Sequence, residues 1–361
     1  MRLSSLLVLI VLAEAFAQTP PNGRPTVKLE SSTAALTIDL GGGSIVDFHL
    51  AGGLNPLHWI APEDENKPLR PMAHFLCLDR WGPPSDAEMR NGMFFHGEAS
   101  RVEWQQVGPT DHQAGRIVAT MEATLPLAGL GVRRTVGLAE SAAVFTVSET
   151  VTNQNKLGRV YNMVQHATIG PPFLDETTVV NSNAGEGFMQ SSPLPDPERI
   201  AIHWPEATKD GKPVDLRRLS TDPDPNVTSF VIDGDLGWVT ATNAAQELLY
   251  GYIFRTADYP WLNFWRNVQN GKPLARGLEF GTTGFHQPFK LLIGKPRIFG
   301  RPTFAYLDAG ESVTRVYTAF LLKVPRDFAG VNQVLYRAGS IVVEERAAHG
   351  RELTIPVDRL F

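Results

Sequence analysis

One local pattern recurs along almost the whole chain: short runs rich in Val, Ile, Thr and Phe, separated by Gly, Asn, Asp or Pro. Apolar and polar residues alternate within many of these runs, as expected for strands with one face against a core. The 32 Gly and 27 Pro among 361 residues supply many turns and leave few uninterrupted stretches for helices. The sequence therefore predicts an all-β protein, a β-sandwich of large antiparallel sheets with few short helices.

The alternation also predicts where the individual elements lie. A helix is expected at 327–338, with Asp327 as its N-cap and Gly339 as its stop. The polar, Pro-rich segment 190–229 is typical of a long loop or excursion, and such loops in a compact domain are usually functional or mobile. Strands are expected at 36–40, 44–50, 117–125, 132–138, 144–151, 161–169, 237–242, 248–255, 261–265 and 313–324.

The N-terminal 17 residues, MRLSSLLVLIVLAEAFA, have the pattern of a cleaved export signal peptide. Arg2 gives a positive start, a short apolar core follows, and Ala15 and Ala17 form a small-x-small cleavage site. A Pro-rich linker at 18–32 and a single domain at 33–361 would come next. We expect a periplasmic or secreted protein, with the periplasm favoured. We expect no membrane span, because no later stretch reaches about 18 apolar residues.

Charge and cysteine count exclude several classes of protein. The 33 Lys and Arg against 38 Asp and Glu give a net charge of −5, which argues against a nucleic-acid partner. The single cysteine, Cys77, excludes a disulfide scaffold, a zinc finger and an iron–sulfur cluster, and its apolar neighbours indicate a buried thiol. The histidines and carboxylates lack compact metal-ligand spacing, so we expect no metal.

The segment WLNFW at 261–265 is compatible with a carbohydrate ligand. Strand alternation puts Trp261, Asn263 and Trp265 on one face, where indoles can stack on a sugar ring and the amide can bond a hydroxyl. Arg266 adjoins them. The alternative is a strand buried on both faces with tryptophan as core filler, and the sequence leaves both open.

A second candidate is a single glutamate between glycines. Glu279 alternates with Leu278 and Phe280, so it points away from the core that these two face. Its neighbours on its own face are Gly277 and Gly281, whose missing side chains leave room for a ligand around a carboxylate. Glycine in a strand is also typical of a bulge, which is the structural alternative.

Histidines complete the set of candidates. His166 shares a strand face with Asn162, and His96 precedes Gly97, which allows a close turn. A lone histidine in an apolar run is more often a hydrogen-bonded core residue than a catalyst. The same structural interpretation applies to His58, His74, His203 and His286.

The order of these segments resembles the aldose 1-epimerase, or galactose mutarotase, superfamily over most of the chain. The resemblance implies a β-supersandwich of the galactose mutarotase type with its site on a concave sheet face. The similar segments are GGGSIV at 41–46 leading to NPL at 55–57, NGMFFHG at 91–97 with a first histidine, QHA at 165–167 with a second, GLE at 277–279 with the glutamate, and LDAGES at 307–312.

The resemblance also implies an activity and residue roles, with no cofactor. Interconversion of sugar anomers needs a base for the C1 hydroxyl proton and an acid for the ring oxygen, so that the ring opens and recloses. By position Glu279 would be the base and His166 the acid, while His96 would orient the sugar and stabilise charge at the ring oxygen. Arg80, just before the His96 segment, would contact sugar hydroxyls.

Departures from the family pattern keep other functions open. His166 is followed by ATIG rather than by an aromatic residue and Asn, so the resemblance does not extend to galactose or glucose as substrates. One alternative is a non-catalytic carbohydrate-binding protein on the same fold. Another is a polysaccharide lyase, with Arg80 and Arg266 neutralising a uronate, or a hydrolase, which would need a second carboxylate beside Glu279. The partner is a sugar or oligosaccharide in each case, and the oligomeric state stays open.

We expect the mature protein to begin at Gln18, and N-terminal sequencing of the exported product measures this directly. Ala17→Leu removes the small residue that the cleavage site needs and should leave the uncleaved precursor. Glu30→Gln, well downstream, is the matched control and should be processed normally. An exported product that retains its first 17 residues would contradict the prediction.

Overall fold

The computed structural model describes residues 23–62 and 69–361. The expected signal peptide at 1–17 lies outside the described residues. Helical structure in the described chain is short: it comprises α1 (Asp86–Arg90), α2 (Phe289–Gly294) and the 3₁₀ turns Ala99–Arg101, Pro197–Ile200 and Ala244–Gln246.

A first large antiparallel sheet carries the candidate site. Its strands, in spatial order, are β1 (Thr26–Glu30), β2 (Ala34–Asp39), β3 (Ile45–Leu50), β4 (His74–Asp79), β10 (Arg159–Ile169), β20 (Lys272–Gly277), β19 (Trp261–Gln269), β16 (Val227–Ile232), β12 (Ala184–Met189), β13 (Ile202–His203), β14 (Glu206–Lys209) and β15 (Lys212–Asp215). Two short strands complete it, β21 (Glu279–Gly281), which pairs with both β10 and β19, and β24 (Ala305–Leu307), which pairs with β10.

A second large antiparallel sheet stacks on the first, and two small sheets accompany them. The second sheet has the order β11 (Val179–Ser182), β17 (Leu236–Asn243), β18 (Leu248–Arg255), β25 (Ser312–Lys323), β9 (Val144–Asn153), β8 (Leu130–Ala139), β7 (Arg116–Leu125) and β5 (Gln105–Gln106), with β6 (Asp111–Gln113) also on β7. The small sheets are β22 (Arg297–Ile298) with β23 (Arg301–Pro302), and β26 (Val331–Arg337), β27 (Ser340–Glu345) and β28 (Glu352–Pro356).

The main core lies between the two large sheets. Alternate residues of both sheets point into it, for example Leu76 and Met163 from the first sheet and Phe145 and Tyr250 from the second. Complete burial of each large apolar side chain contributes about 1.5–3 kcal/mol before entropy is counted. A separate apolar cluster joins the outer face of the second sheet to the small C-terminal sheet. This leaves the outer face of the first sheet, here termed the site face, for function.

The predicted all-β architecture is confirmed, and each predicted strand overlaps an observed one. The segment 190–229 is more ordered than a loop, because it contains β13 and the hairpin β14–β15 at the edge of the first sheet. The segment 18–32, expected to be a linker, contributes β1 at Thr26–Glu30, so the sheet begins earlier than expected. None of the helices in the described chain has the length and apolar character to cross a membrane.

The prediction of a helix at 327–338 is wrong, since Val331–Arg337 is strand β26. The error has a physical cause. Val331 and Val334, spaced three apart as on a helix, are both buried against the second sheet. A register shift between Val331 and Gln333 inserts an extra residue in β26, so a strand reproduces the helical spacing at this point.

Candidate functional site

Four side chains form a row across neighbouring strands of the first sheet. Strand pairing sets Phe75 of β4 opposite His166 of β10, and Glu279 of β21 opposite Asn263 of β19. The register between β10 and β21 continues the row by setting His166 beside Glu279. The residue that follows each of the four lies in the main core, so the row itself points to the site face.

The two glycines that flank Glu279 serve different neighbours. A Cβ at Gly277 would lie 2.5 Å from Oε1 of Glu279, so the absence of a side chain there is what allows the carboxyl its position. A Cβ at Gly281 would instead lie 2.3 Å from Cγ2 of Val164 on the adjacent strand. The room expected from both glycines therefore comes from Gly277, while Gly281 permits close strand packing.

Glu279 and His166 form a buried, closely spaced pair. His166 Nε2 lies 3.2 Å from Oε1 of Glu279. The indole Nε1–H of Trp81 donates to Oε2 of the same carboxyl over 2.7 Å. On the far side of the imidazole, Nδ1 lies 3.0 Å from Oγ1 of Thr168. Both ends of the pair are thus oriented by hydrogen bonds, which is the arrangement that proton transfer requires.

His96 approaches the pair from a loop. Its φ of 66° lies in the left-handed region, where residues other than glycine concentrate at functional sites. Gly97 follows with φ of 77°, and a Cβ there would lie 2.3 Å from the carbonyl oxygen of Leu78. The backbone N–H of Gly82 donates to His96 Nδ1 over 3.1 Å. The neutral ring therefore carries its proton on Nε2 and offers a donor.

Rings line the space around His166. Phe75 stacks on its imidazole with centroids 4.2 Å apart, and the His96 ring meets it edge-on at 5.2 Å. Trp265, half-buried, lies edge-on at 5.9 Å and also contacts Trp59. Aromatic faces beside a polar pair are suited to a ligand with both C–H surfaces and hydroxyl groups, as a sugar ring has.

Burial shifts both members of the pair toward their uncharged forms. It raises the pKa of Glu279 to about 8, although the hydrogen bond from Trp81 acts in the opposite direction. Burial lowers the pKa of His166 to about 3, with a smaller contribution in the same direction from His286. Near neutral pH the pair therefore holds one proton, on the carboxyl group.

Three of the expected sugar-binding residues make their contacts away from the Glu279–His166 pair: Trp261, Arg266 and Arg80. Trp261 is fully buried in an apolar cluster with Phe285, and its Nε1–H donates to the carbonyl of Pro302 over 2.7 Å. The strand alternates as expected, but the segment around α2 covers this end of the site face. Arg266 points to the other side, where it is buried, and its Nη1 donates to the carbonyl of Asp224 over 3.0 Å.

Arg80 is held in a charged cluster. Its guanidinium bonds Asp79 at 3.1 and 3.2 Å and Glu88 at 2.9 Å, and lies over the ring of Phe289. Asn263, in contrast, lies in the row beside Glu279, with its Nδ2 donating to the carbonyl of Thr283 over 3.1 Å. Of the expected residues, Glu279, His166, His96, Asn263 and Trp265 come together.

Two residues of the site escaped the sequence analysis. Trp81 stands two positions beyond β4 and is the donor to Glu279, 198 residues away in sequence. His286, interpreted as a core histidine, lies 4.6 Å from Trp81 and 5.4 Å from His96, measured between ring centroids. The only local signal was the position of Trp81 next to Arg80, and nothing in the sequence around His286 distinguished it.

Although three imidazoles lie close together, they do not form a metal site. Within residues 23–62 and 69–361, no three His, Cys, Asp or Glu side chains are arranged to hold a metal ion. Cys77, which lies beneath the site, is fully buried, and burial raises the pKa of its thiol well above the usual value.

Comparison with known proteins identifies the fold. No protein-family model and no curated protein matches the sequence. Solved structures do match. A galactose mutarotase related enzyme from Lactobacillus acidophilus aligns with TM-score 0.58 at 11% identity, over 83% of this chain and 98% of its own. A galactose mutarotase-like protein from Lactobacillus casei aligns with TM-score 0.57 at 14% identity, over 82% of this chain and 100% of its own.

A candidate aldose 1-epimerase from Escherichia coli K12 aligns equally well. Its TM-score is 0.57 at 15% identity, over 83% of this chain and 99% of its own. The described chain therefore has the galactose mutarotase-like fold, as the resemblance in its sequence predicted. Identities this low establish the fold alone.

The raised pKa of Glu279 predicts a stability cost that grows with pH. Between its ordinary pKa of 4.5 and about 8, the unfolded chain loses this proton while the folded protein keeps it. Stability therefore falls as pH rises through that window, by up to about 1.4 kcal/mol per pH unit. The variant Glu279→Gln has no titrating group at this position. The free energy of unfolding of Glu279→Gln should therefore rise relative to that of the wild type as the pH increases from about 5 to about 8.5, measured by denaturant unfolding.

Glu176→Gln, at an exposed position, is the matched control and should follow the wild type at both pH values. Equal pH dependence in the wild type and Glu279→Gln would show that burial does not disfavour the carboxylate.

Proposed function

We propose that the protein is a sugar mutarotase, an aldose 1-epimerase that interconverts the anomers of a reducing sugar. The observation that carries the proposal is the Glu279–His166 pair, a buried carboxyl and imidazole 3.2 Å apart among aromatic rings. The mutarotase-like fold of the solved neighbours supports the same assignment.

The reaction needs one proton donor and one proton acceptor at a time. In ring opening, the C1 hydroxyl loses its proton while the ring oxygen gains one, and the C1–O5 bond breaks. Rotation about C1–C2 presents the other face of the aldehyde. Closure returns a proton to the C1 oxygen and removes one from the C5 hydroxyl, which gives the other anomer. General acid–base catalysis of such transfers supplies about 10²–10⁴-fold each.

A pair that holds one proton can serve both half-reactions. In the unliganded protein Glu279 carries the proton and can donate it, while the free Nε2 of His166 can accept one. In ring opening, Glu279 gives its proton to the ring oxygen and His166 takes the proton of the C1 hydroxyl. In closure the roles reverse, so each residue acts once as acid and once as base. The expected assignment of Glu279 as base and His166 as acid then describes one of the two half-reactions.

The remaining site residues have supporting roles in this proposal. His96 directs its Nε2–H toward sugar oxygen, because its Nδ1 accepts from the backbone of Gly82. Trp81 stabilises the carboxylate form of Glu279 when the proton has moved. Trp265 supplies a ring for the C–H face of the sugar.

A lyase finds less support than a mutarotase. Lyase chemistry needs a cation to neutralise a uronate carboxylate, and Arg80 and Arg266 were the candidates. Arg80 is bonded to Asp79 and Glu88, and Arg266 is buried on the core side of its strand. A non-catalytic carbohydrate-binding protein would need no proton-sharing pair. We also propose that the protein acts in the periplasm or outside the cell, on the pattern of its first 17 residues.

We expect the protein to accelerate anomer exchange of one or a few reducing sugars, measured by NMR exchange spectroscopy on a broad panel. Glu279→Gln and His166→Ala should each lower kcat by about 100-fold or more while sugar binding persists, since each removes one proton-transfer group. Glu176→Gln and His349→Ala, both at exposed positions outside the candidate site, should match the wild type.

Two results would count against the proposal. No acceleration for any sugar, including deoxy and uronic sugars, would leave carbohydrate binding without catalysis as the better function. Acceleration that is equal in the wild type and Glu279→Gln would point to a contaminating enzyme.

The proton-sharing pair also predicts a pH profile. The one-proton form is the main species from about pH 3 to about pH 8. kcat/KM, which reports the free enzyme, should be level from about pH 5 to 7 and fall above about pH 8 as Glu279 loses its proton. Spontaneous exchange, measured without protein at each pH, is subtracted. A rate that rises through pH 8 would indicate an ionised carboxylate as the base instead.

A further inference from the structure

A cleft of about 590 Å³ lies between the site and the inserted segment 190–229. Its volume is within the usual range of ligand sites, about 300–1,000 Å³. The inner wall comes from the end of β12 and from β16, through Met189, Gln190 just after β12, and Val227. The outer wall comes from the β14–β15 hairpin and the segment after it, through Thr208, Lys209 and Asp224. His286 also lines the cleft.

The cleft adjoins the candidate site through two residues, His286 and Val227. His286 borders the cleft, and its ring also contacts those of Trp81 and His96 beside the Glu279–His166 pair. Val227 lines the cleft and packs against the apolar cluster that underlies the pair. Val227 also pairs across the strands with Trp265. A ligand at the pair therefore has the cleft directly beside it.

Hydrogen bonds hold the inner wall in place. Gln190 Nε2 donates to Oγ of Ser229 and to the carbonyl of Gly284, both over 2.7 Å. Its Oε1 accepts from the backbone N–H of His286 over 3.2 Å. The side chain of Gln190 thus couples β16 to the loop that carries His286, and it fixes the junction between site and cleft.

The outer wall is anchored by a buried guanidinium. Arg266 donates from Nη1 to the carbonyl of Asp224 over 3.0 Å and from Nη2 to that of Asp222 over 3.4 Å. Asn226 Nδ2 donates back to the carbonyl of Arg266 over 2.7 Å. Arg266 itself is fully buried. Because these bonds are made to the main chain, the inserted segment is positioned before any ligand arrives.

The charges at the cleft disfavour an acidic ligand. Lys209 is already paired with Asp222, and its Nζ lies 3.5 Å from Oδ2 of Asp224. Asp210 also lines the cleft, and Arg266 lies behind this wall, so the three carboxylates of Asp210, Asp222 and Asp224 face two cations and leave a net negative charge. A uronate in the cleft would meet repulsion, while hydroxyl groups could bond these polar side chains.

We infer that the cleft is a binding site for the second and following residues of a neutral oligosaccharide, whose reducing-end residue occupies the Glu279–His166 pair. This inference rests on the proposed function, since it assigns the pair the reducing end. It deepens that function by identifying the substrate class as a neutral oligosaccharide rather than a free monosaccharide. The inserted segment then serves as the specificity element of the site.

Binding can be measured without relying on catalysis, because anomer exchange leaves the composition of an equilibrated sugar unchanged. Isothermal titration of the wild type and of Glu279→Gln would use maltotriose, cellotriose, mannotriose and galactotriose, each against its monosaccharide. For at least one neutral series the trisaccharide should bind at least about tenfold more tightly than the monosaccharide. Trigalacturonate should bind more weakly than the preferred neutral trisaccharide.

A blocking variant tests whether the cleft is responsible. Thr208 is exposed on β14 and lines the cleft, so Thr208→Trp fills space without disturbing the core. It should reduce trisaccharide affinity to that of the monosaccharide. Lys212→Trp, at an exposed position of the same hairpin outside the cleft lining, is the matched control and should keep the tenfold preference. Thermal unfolding of both variants verifies folding.

The outcomes separate this inference from the proposed function. Preferential trisaccharide binding that Thr208→Trp abolishes, with no anomer exchange, would support the cleft and overturn the mutarotase. Anomer exchange with no trisaccharide preference, or a preference that Thr208→Trp leaves intact, would overturn the cleft inference alone. Tighter binding of trigalacturonate would overturn the assignment of a neutral ligand.

Discussion

The register of strand β10 between its two neighbours is the constraint on which the candidate site depends. Pairing with β4 and with β21 brings Phe75, His166 and Glu279 into one row. Side chains alternate along a strand, so a slip of one residue would turn His166 into the core and expose Gln165. Gln165 resists that slip, because in the core it bonds Glu149 over 2.5 Å and His74 over 3.1 Å. Exposing it would leave those buried groups unpaired.

Burial of the pair has two consequences with one physical origin. Removing Glu279 and His166 from water disfavours their charged forms, which moves their pKa values toward a state with one shared proton. The same desolvation makes an ionised Glu279 costly to the fold at high pH. Trp81 offsets part of that cost through its hydrogen bond. Burial of the pair thus lowers the stability of the fold at high pH, and it leaves one proton that can pass from either residue to a ligand.

In our inference, the segment 190–229 gives the first sheet its ligand specificity. The segment extends the first sheet through the hairpin β14–β15. Where the chain returns from this hairpin to β16, Arg266 donates hydrogen bonds to the main-chain carbonyls of Asp222 and Asp224. A guanidinium that appeared from the sequence to face a ligand thus supports the wall of a cleft instead. Trp261 is likewise unable to stack on a ligand, because the chain around α2 covers its ring. Both residues contribute to the site by shaping its boundary.

The sequence alone determined ten of the strands, the faces that their side chains occupy, and the glutamate between two glycines, because alternation with a period of two is a local property. It misassigned 327–338 as helix because Asp327 and Gly339 resemble helix caps, and the bulge in β26 does not contradict helical spacing. The partners of each side chain were decided only by the tertiary structure. Trp81 reaches Glu279 across 198 residues, and Arg80 bonds acidic neighbours rather than facing the site. Such contacts depend on which strands become neighbours and on what covers them, and no local pattern encodes either.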